Sequence, residues 1–573
     1  MQAASRRSSV TGLAEVTGAD TGVSGLMNNK RCLGLALFAS LGGVLYGYNQ
    51  GVFSQVQVMA DFEYRFASTL NNSSTKGLLT GILELGAMVG ALSSSPLADK
   101  YSRKLSISAW CVVFMLGVAL QVGASTDVAL IYSGRWFAGM GVGGLSVVVP
   151  MFNAELAPAS IRGTLVGLQQ VAICFGIMIS YWIGYGTNYI GGTTYPNQSS
   201  AAWRIPLALQ LVPAIILCIG SWFLPYSPRW LMLVGREEEC LAVLARLRKQ
   251  DANSPAVQYE YRSLKVEAYA DRATARSRYG TEEKTWRTEA LEYKRIFTTK
   301  VTLHRVGLGA GVKHLVNGPV SLQFRPNGFR TTLTGIGINA ILYYAPTIFE
   351  QVGLSGGSIG LLATGIVGIL MFVFTIPGAL IVDKVGRKPM LAWSLANMGI
   401  AHAIIAALIA TYGGKFNEHK AAANGAIFLV YWVVVNYAMP YGPVGWIVTA
   451  ESSSLDIRAK GVAIGSAVNW IMNFTVAQVT PVMITNIGYK TWIVFMCFCF
   501  LGLAWVYFVL PELKGLSLEE IDAVFADEVS AEDRHQRERI ANELGVSRVV
   551  NVDGGDGIDD LKDSTSKQEV ETV

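Results

Sequence analysis

Apolar runs of about twenty residues recur along the chain, and they restrict its fold more than any other feature. A run of that length can cross a lipid bilayer as one helix. Such runs lie at about residues 32–55, 77–97, 105–124, 128–152, 163–187, 205–225, 332–350, 359–382, 389–411, 424–448, 461–485 and 491–511. The sequence therefore predicts an all-α integral membrane protein, with these twelve runs as spans one to twelve.

Charged residues are concentrated outside the predicted spans. They make up 15% of the chain, against about 25% in soluble proteins. Residues 235–300 hold 25 of them and residues 512–573 hold 24. The spans are thus poor in charge, as a lipid environment requires. A net charge of +5 is too small to indicate a nucleic-acid partner.

Lysines and arginines alternate between the loops in the order that the positive-inside rule requires. Both termini are therefore predicted to be cytoplasmic. The predicted divisions are a cytoplasmic tail 1–30, a six-helix bundle 31–230, a charged cytoplasmic linker 231–300, a second six-helix bundle 301–511 and a cytoplasmic tail 512–573. The polar composition after Phe525 predicts disorder in the last of these.

Three motifs occur twice, in the same order and at a nearly constant distance. Asp99 recurs as Asp383 after 284 residues, Glu155 as Glu451 after 296, and Pro225 as Pro511 after 286, each within a similar local sequence. This duplication predicts two homologous six-helix halves. Two such halves are typical of a transporter whose substrate site lies between them.

The repeated turns carry acidic and basic residues that can pair across helix ends. They are Asp99, Arg103, Glu155 and Arg162 in the first half, and Asp383, Arg387, Glu451 and Arg458 in the second. In a wet setting each pair should contribute only about 1 kcal/mol. We expect these residues to form a breakable latch; charge that merely sets the orientation in the membrane is the alternative.

Several motifs together resemble the sugar porter family of the major facilitator superfamily, and its fungal members in particular. The matching pieces are Gly47-Tyr-Asn-Gln-Gly51, the two Asp-Lys-x-x-Arg-Lys turns, Gly134-Arg135, Arg162-Gly163, Pro225-x-Ser-Pro-Arg229, Gly337-Ile-Asn-Ala340, Gly442-Pro-Val-Gly-Trp446 and Pro511-Glu-x-Lys-Gly-Leu-Ser-Leu-Glu-Glu-Ile-Asp522. The resemblance covers about residues 31–525. It implies the twelve-helix major facilitator fold, alternating access, a sugar substrate such as a hexose, and a location in the plasma membrane. The chain has no nucleophile–base arrangement, phosphate-binding loop or metal-binding motif, so no enzyme activity, cofactor or metal is expected.

Polar and aromatic residues inside the spans are candidates for the substrate site, because they are costly in lipid. Amides both donate and accept hydrogen bonds, and an aromatic face can pack on the C–H surface of a sugar. The candidates are Gln169, Gln170, Asn339, Tyr343, Tyr344, Trp446, Asn469 and Asn473. The resemblance implies that Gln170 and Trp446 contact the sugar. For every candidate, a hydrogen bond between helices or simple packing is the alternative.

Energy coupling depends on three residues. Proton-coupled sugar porters resemble one another in an aspartate at the position of Asn49, facing the span-four arginine, here Arg135. An amide cannot titrate, so a facilitator is favoured. In the alternative, Glu84 in span two is the proton site of a symporter for a disaccharide, polyol or quinate-like acid. A non-transporting sugar receptor on the same fold is a further alternative.

Residues 312–330 do not fit a membrane span. They include Lys313, His314, Arg325 and Arg330, two prolines and two asparagine–glycine pairs. Each charge at the centre of a span costs about 2.5–3.5 kcal/mol. The family's paired glutamines would fall at Leu333 and Thr334. A real insertion and translated non-coding sequence both explain this. The second is favoured, because the disruption falls inside a family motif while both flanks match.

Overall fold

The computed structural model describes residues 29–158, 162–281, 286–317, 321–325, 328–332, 337–354, 357–452, 458–512, 514 and 528–543. Within these residues, eleven helices are long and apolar enough to cross a bilayer. They confirm spans one to six and eight to twelve, with observed bounds Lys30–Val56, Ser73–Tyr101, Arg103–Gly123, Val128–Leu156, Gly167–Thr187, Ala201–Ser221, Ser358–Val382, Arg387–Tyr412, Lys420–Thr449, Ala459–Ile487 and Lys490–Phe508.

The seventh span differs from its prediction because it is divided into two helices. Helix 7a is Lys300–Asn317 and helix 7b is Ile338–Gln351. Between them, strands Ser321–Arg325 and Gly328–Thr332 pair as an antiparallel hairpin. Helix 7a packs on spans ten and eleven, and helix 7b packs on spans one, eight and eleven. With 14 residues, helix 7b is only about 21 Å long, which is shorter than the roughly 30 Å bilayer core.

Spans one to six form one half, and spans seven to twelve form the other. Close packing inside the first half depends on glycines in span four. A Cβ atom added to Gly139 would lie 2.0 Å from the carbonyl oxygen of Leu83, and one added to Gly143 would lie 2.0 Å from that of Ala87. These glycines therefore let spans two and four approach at backbone distance, as small residues do between membrane helices. The two halves meet where span two packs on span eleven and span five packs on span eight.

Span ten contains one irregular turn. Helix Lys420–Asn436 continues into a π-helical turn, Tyr437–Tyr441, and then into helix Gly442–Ser452. Such turns are rare in proteins, and those that occur are often found at functional sites.

A second compact unit consists of helices Pro228–Val234, Glu237–Arg248, Pro255–Tyr279 and Glu528–Glu543. Its ion pairs include Arg229–Glu267 at 2.9 Å, Lys265–Glu237 at 2.8 Å and Arg248–Glu260 at 2.5 Å. In helix Glu528–Glu543, Gln536 Oε1 accepts a hydrogen bond from Thr274 at 3.3 Å. The predicted disorder after Phe525 is therefore wrong for residues 528–543. Their many glutamate, arginine and alanine residues favour helix although they bury little apolar surface.

Candidate functional site

A cavity lies between the two halves. It contains about 450 Å³ of empty space, including the part that is open to solvent. Spans one and five line it from the first half, and helix 7b with spans eight, ten and eleven from the second. The lining residues are Tyr46, Gln50, Gln170, Ile173, Ile177, Asn339, Leu342, Met371, Tyr437, Gly442, Gly445, Trp446 and Asn469. The wall thus combines side-chain amides, aromatic rings and aliphatic surface.

Two lining side chains meet across the cavity from opposite halves. Trp446 Nε1 in span ten donates a hydrogen bond to Gln170 Oε1 in span five at 2.8 Å. A Cβ atom on Gly442 would lie 3.1 Å from Gln170 Nε2, so the glycine leaves room for the amide. A ligand that replaced this bond would meet a donor, an acceptor and an aromatic ring in one place.

Helix 7b brings Asn339 to the cavity in its first turn. Gly337 precedes the helix with φ +79°, a conformation that favours glycine, and a Cβ there would lie 2.9 Å from the Phe495 ring. Asn339 Nδ2 donates to Asn473 Oδ1 in span eleven. The start of helix 7b is therefore fixed both by its backbone and by a side-chain amide pair.

Gln50 of span one joins this amide pair to a buried carboxylate. Gln50 Nε2 donates to Asn339 Oδ1 at 3.4 Å and to the hydroxyl oxygen of Tyr343 at 3.1 Å. The Tyr343 hydroxyl in turn donates to Glu84 Oε1 at 2.5 Å. A continuous chain of hydrogen bonds thus runs from span two through helix 7b and span one to the cavity.

The eight candidate residues divide into two groups. Four line the cavity: Gln170, Asn339, Trp446 and Asn469. The other four lie behind its wall: Gln169 against Gly43, Tyr343 on Glu84, Tyr344 donating to the Ala477 carbonyl at 2.6 Å, and Asn473 on Asn339. Within the described residues, neither polar atom of the Gln169 side chain has a hydrogen-bond partner.

Sequence reasoning missed Tyr46, Gln50 and Tyr437 as lining residues. Gln50 stood within the quoted Gly47–Gly51 motif, and a glutamine in an apolar span is itself a signal of function. Tyr46 and Tyr437 carry the same aromatic signal as Tyr343 and Tyr344, and only the structure shows which of these tyrosines line the cavity.

The three coupling candidates are buried. Asn49 Nδ2 donates to Gln210 Oε1 at 2.6 Å. Arg135 donates to the Thr80 carbonyl at 2.7 Å, and its guanidinium carbon lies 3.8 Å from the centre of the Phe53 ring. Glu84 is 1% exposed, and its Oε2 has no hydrogen-bond partner among the residues that the structure describes.

We call the side of the spans that carries the Lys100–Lys104 turn the basic face. Here Arg103 contacts Asp99 at 3.0 Å and Glu155 at 2.9 Å. The Arg103 side chain is 3% exposed, and those of Asp99 and Glu155 are 9% and 7% exposed. The cluster is therefore buried and not exposed to water. Breaking it should cost more than the roughly 1 kcal/mol per pair expected from the sequence for a wet setting.

The equivalent cluster of the second half is described only in part. The backbone N–H of Arg387 donates to Glu512 Oε1 at 3.1 Å. The side chains of Arg162, Asp383, Glu451 and Arg458 lie outside the described residues.

A further ion cluster on the basic face was not predicted. Lys460 at the start of span eleven contacts Glu289 at 3.0 Å and also pairs with Glu292, both on helix Trp286–Thr298. Burial raises the pKa of the Glu289 carboxyl above its ordinary value. On the same helix, the Tyr293 hydroxyl donates to the Leu92 carbonyl of span two at 3.1 Å. Helix Trp286–Thr298 therefore contacts both halves.

The halves also meet on the opposite face. Gln57 Nε2 donates to the Tyr343 carbonyl and Gln478 Nε2 to the Ser74 carbonyl, each at 2.8 Å. The hydroxyls of Ser73 and Thr485 lie 2.9 Å apart. Contacts between halves thus lie on both sides of the cavity.

Comparison with known proteins places the chain in a family. Residues 35–299 and 329–525 match the sequence pattern of the family described as sugar (and other) transporter. The interval between the two matched parts contains helix 7a and most of the hairpin.

Full-length relatives agree with this match. The chain is 32% identical to the probable quinate permease of Aspergillus niger over 507 residues, covering 87% of this chain and 88% of the relative. It is 32% identical to the MFS glucose transporter mfs1 of Aspergillus flavus over 532 residues, covering 88% and 92%. Its fold is similar to that of the proton:xylose symporter XylE bound to 6-bromo-6-deoxy-D-glucose, with a TM-score of 0.67, 27% identity and coverage of 87% and 100%. The chain therefore belongs to the sugar porter family of the major facilitator superfamily, a family of multi-pass membrane transporters rather than enzymes.

Proposed function

We propose that this protein carries a neutral hexose across the plasma membrane by alternating access, with both termini in the cytoplasm. The observation that carries the proposal is the cavity itself, which both halves line and in which Gln170 and Trp446 meet at 2.8 Å. Rocking of one half against the other would expose such a site to each side in turn. The amides would bind sugar hydroxyls, and the indole ring would cover a C–H face.

The charge of the cavity wall favours a sugar over a carboxylic acid such as quinate. None of the thirteen described lining residues carries a formal charge. A carboxylate taken out of water needs a cation or several donors to offset its lost hydration. Arg135 already has the Thr80 carbonyl and the Phe53 ring as neighbours. The quinate permeases are close in overall sequence, but this wall is better suited to a neutral polyol.

Uptake in a yeast that lacks its own hexose carriers tests the substrate class. Labelled glucose should enter, other hexoses and the pentose xylose should compete, and quinate and disaccharides should not. Quinate uptake that exceeds glucose uptake would contradict the proposal. A chain truncated after Phe525 should still transport, which separates a carrier from a receptor that signals through its tail.

Replacing either partner of the cross-cavity pair should weaken sugar binding. Trp446→Ala loses a ring and a donor, and Gln170→Ala loses an amide. Each change should cost about 1–3 kcal/mol, or roughly 5- to 150-fold in apparent affinity. The measurement is the concentration dependence of uptake at matched surface expression. Unchanged apparent affinity in both variants would remove these residues from the site.

We further propose that transport is facilitated rather than proton-coupled. The Asn49 amide bonds Gln210, so no titratable group occupies the position of the symporter aspartate. Glu84 is hydrogen-bonded by Tyr343 and serves as a fixed structural acceptor. Adding sugar to lightly buffered cells should therefore leave the external pH unchanged. Alkalinisation that Glu84→Gln abolishes would show that the carrier is a symporter.

A further inference from the structure

Gln50 occupies the point where the cavity wall meets the buried hydrogen-bond chain. It is 7% exposed, it lines the cavity, and its Nε2 has two acceptors, Asn339 Oδ1 and the Tyr343 hydroxyl oxygen. The two acceptor residues, Asn339 and Tyr343, lie four residues apart on helix 7b. The orientation of the Gln50 amide therefore depends on which hydrogen bonds those two partners make elsewhere.

The partners fix that orientation. Tyr343 donates its single proton to Glu84 Oε1, which leaves the phenolic oxygen as an acceptor for Gln50. Asn339 gives its Nδ2 to Asn473, which leaves Asn339 Oδ1 as an acceptor. Both groups that face Gln50 thus require a donor. Of the two ends of the amide, only Nε2 can supply one.

The polarity of the chain begins at the Glu84 carboxyl, which accepts from Tyr343, and is transmitted through that one hydroxyl to the Gln50 amide.

We propose that Gln50 is a specificity-determining residue of the sugar site, which presents its Oε1 as a fixed acceptor to one sugar hydroxyl, with Tyr343 as its positioning residue. The proposal rests on the proposed hexose function and adds the direction of one hydrogen bond. Because Oε1 cannot donate, the hydroxyl it binds must donate. Fluorine at that carbon can accept but cannot donate, so it should not be tolerated.

The test is equilibrium binding to the purified full chain in nanodiscs, read by the fluorescence of its tryptophans. The probes are glucose and its five monofluoro analogues, each with one hydroxyl replaced. Wild type should bind one of the five analogues about tenfold more weakly than glucose, which is the loss expected for one hydrogen bond. Gln50→Leu should bind glucose about tenfold more weakly and should bind glucose and that analogue within twofold of each other. Tyr343→Phe should reduce the discrimination at the same position and leave the other four positions as in wild type.

Gln55→Leu is the matched control. Gln55 lies in the same span, is fully buried, and does not line the cavity. Its variant should keep the wild-type pattern of affinities. Should Gln50→Leu not fold, Gln50→Asn, which keeps an amide but shortens its reach, should lose the same discrimination.

Two results would overturn the proposal in distinguishable ways. If wild type binds glucose and the pattern of affinities is the same in Gln50→Leu, Gln50 does not set the specificity and only this inference fails. If wild type binds none of these sugars but binds another class of substrate, the proposed function fails with it.

Discussion

Sugar uptake should rise at least tenfold when residues 313–332 are removed and glutamines are placed at 333 and 334. The full chain has Leu333 and Thr334 where the family has a pair of glutamines, so it lacks two side-chain amides. Each missing hydrogen bond is worth about 0.5–1.5 kcal/mol. Two of them together amount to about 1–3 kcal/mol, or roughly 5- to 150-fold in affinity. The hairpin also separates helices 7a and 7b, which would otherwise form one span. Keeping Val312 is advisable, because it is fully buried and its carbonyl accepts from the Tyr441 hydroxyl at 3.3 Å.

Two controls separate the causes of that increase. Removal without the glutamine pair isolates the effect of the hairpin, and the glutamine pair in the full chain isolates the effect of the amides. Sequencing of mature transcripts decides the origin of the segment. Messages that all retain the codons for Lys313 to Arg330, in a cell whose carrier is active, would establish a real insertion.

Replacing Arg103 with methionine should be the most destabilising single change on the basic face. It would leave the carboxylates of Asp99 and Glu155 facing each other with little water, and it would free the Ala98 carbonyl that Arg103 now bonds at 3.1 Å. Breaking a buried ion pair by removing one partner costs about 3–5 kcal/mol. The melting temperature of the purified protein should therefore fall markedly, and surface expression with it.

An exposed arginine offers the matched comparison. Arg236 pairs with Glu239 at 2.5 Å, but their side chains are 40% and 51% exposed. Exposed pairs contribute about 0–1 kcal/mol, so Arg236→Met should leave the melting temperature nearly unchanged. Equal losses in the two variants would mean that the Arg103 cluster is not held by buried charge.

The sequence was most informative where one physical rule applied along a whole helix. The length of the apolar runs predicted twelve spans, and eleven of them are long apolar helices among the described residues, because lipid imposes the same demand on each. Polar and aromatic residues in apolar runs gave eight candidates, of which Gln170, Asn339, Trp446 and Asn469 line the cavity. Each of these two signals is visible within a single segment of the sequence.

Contacts between distant segments were beyond that reasoning. The hydrogen bond between Gln50 and Asn339 joins residues 289 positions apart, so neither segment alone could reveal it. Lys460 was visible as a basic loop residue, but its partners lie on a helix with no span pattern of its own. The helix at residues 528–543 was missed because low hydrophobicity was taken as disorder, whereas polar and ionic contacts suffice for one helix on another.

The π-helical turn at Tyr437–Tyr441 sets the rotational register of span ten. A π turn bonds residue i to i+5 and so holds one residue more than an α-helical turn, and each residue rotates a helix by about 100°. The part of span ten before the turn can therefore direct Phe428, which is 62% exposed, outward, while the part after it directs Trp446 into the cavity. The same amino acids on an unbroken helix would rotate the indole away from Gln170. Loss of Met439, a residue of this turn that does not line the cavity, would thus change which molecules fit the cavity without removing any of the side chains that line it.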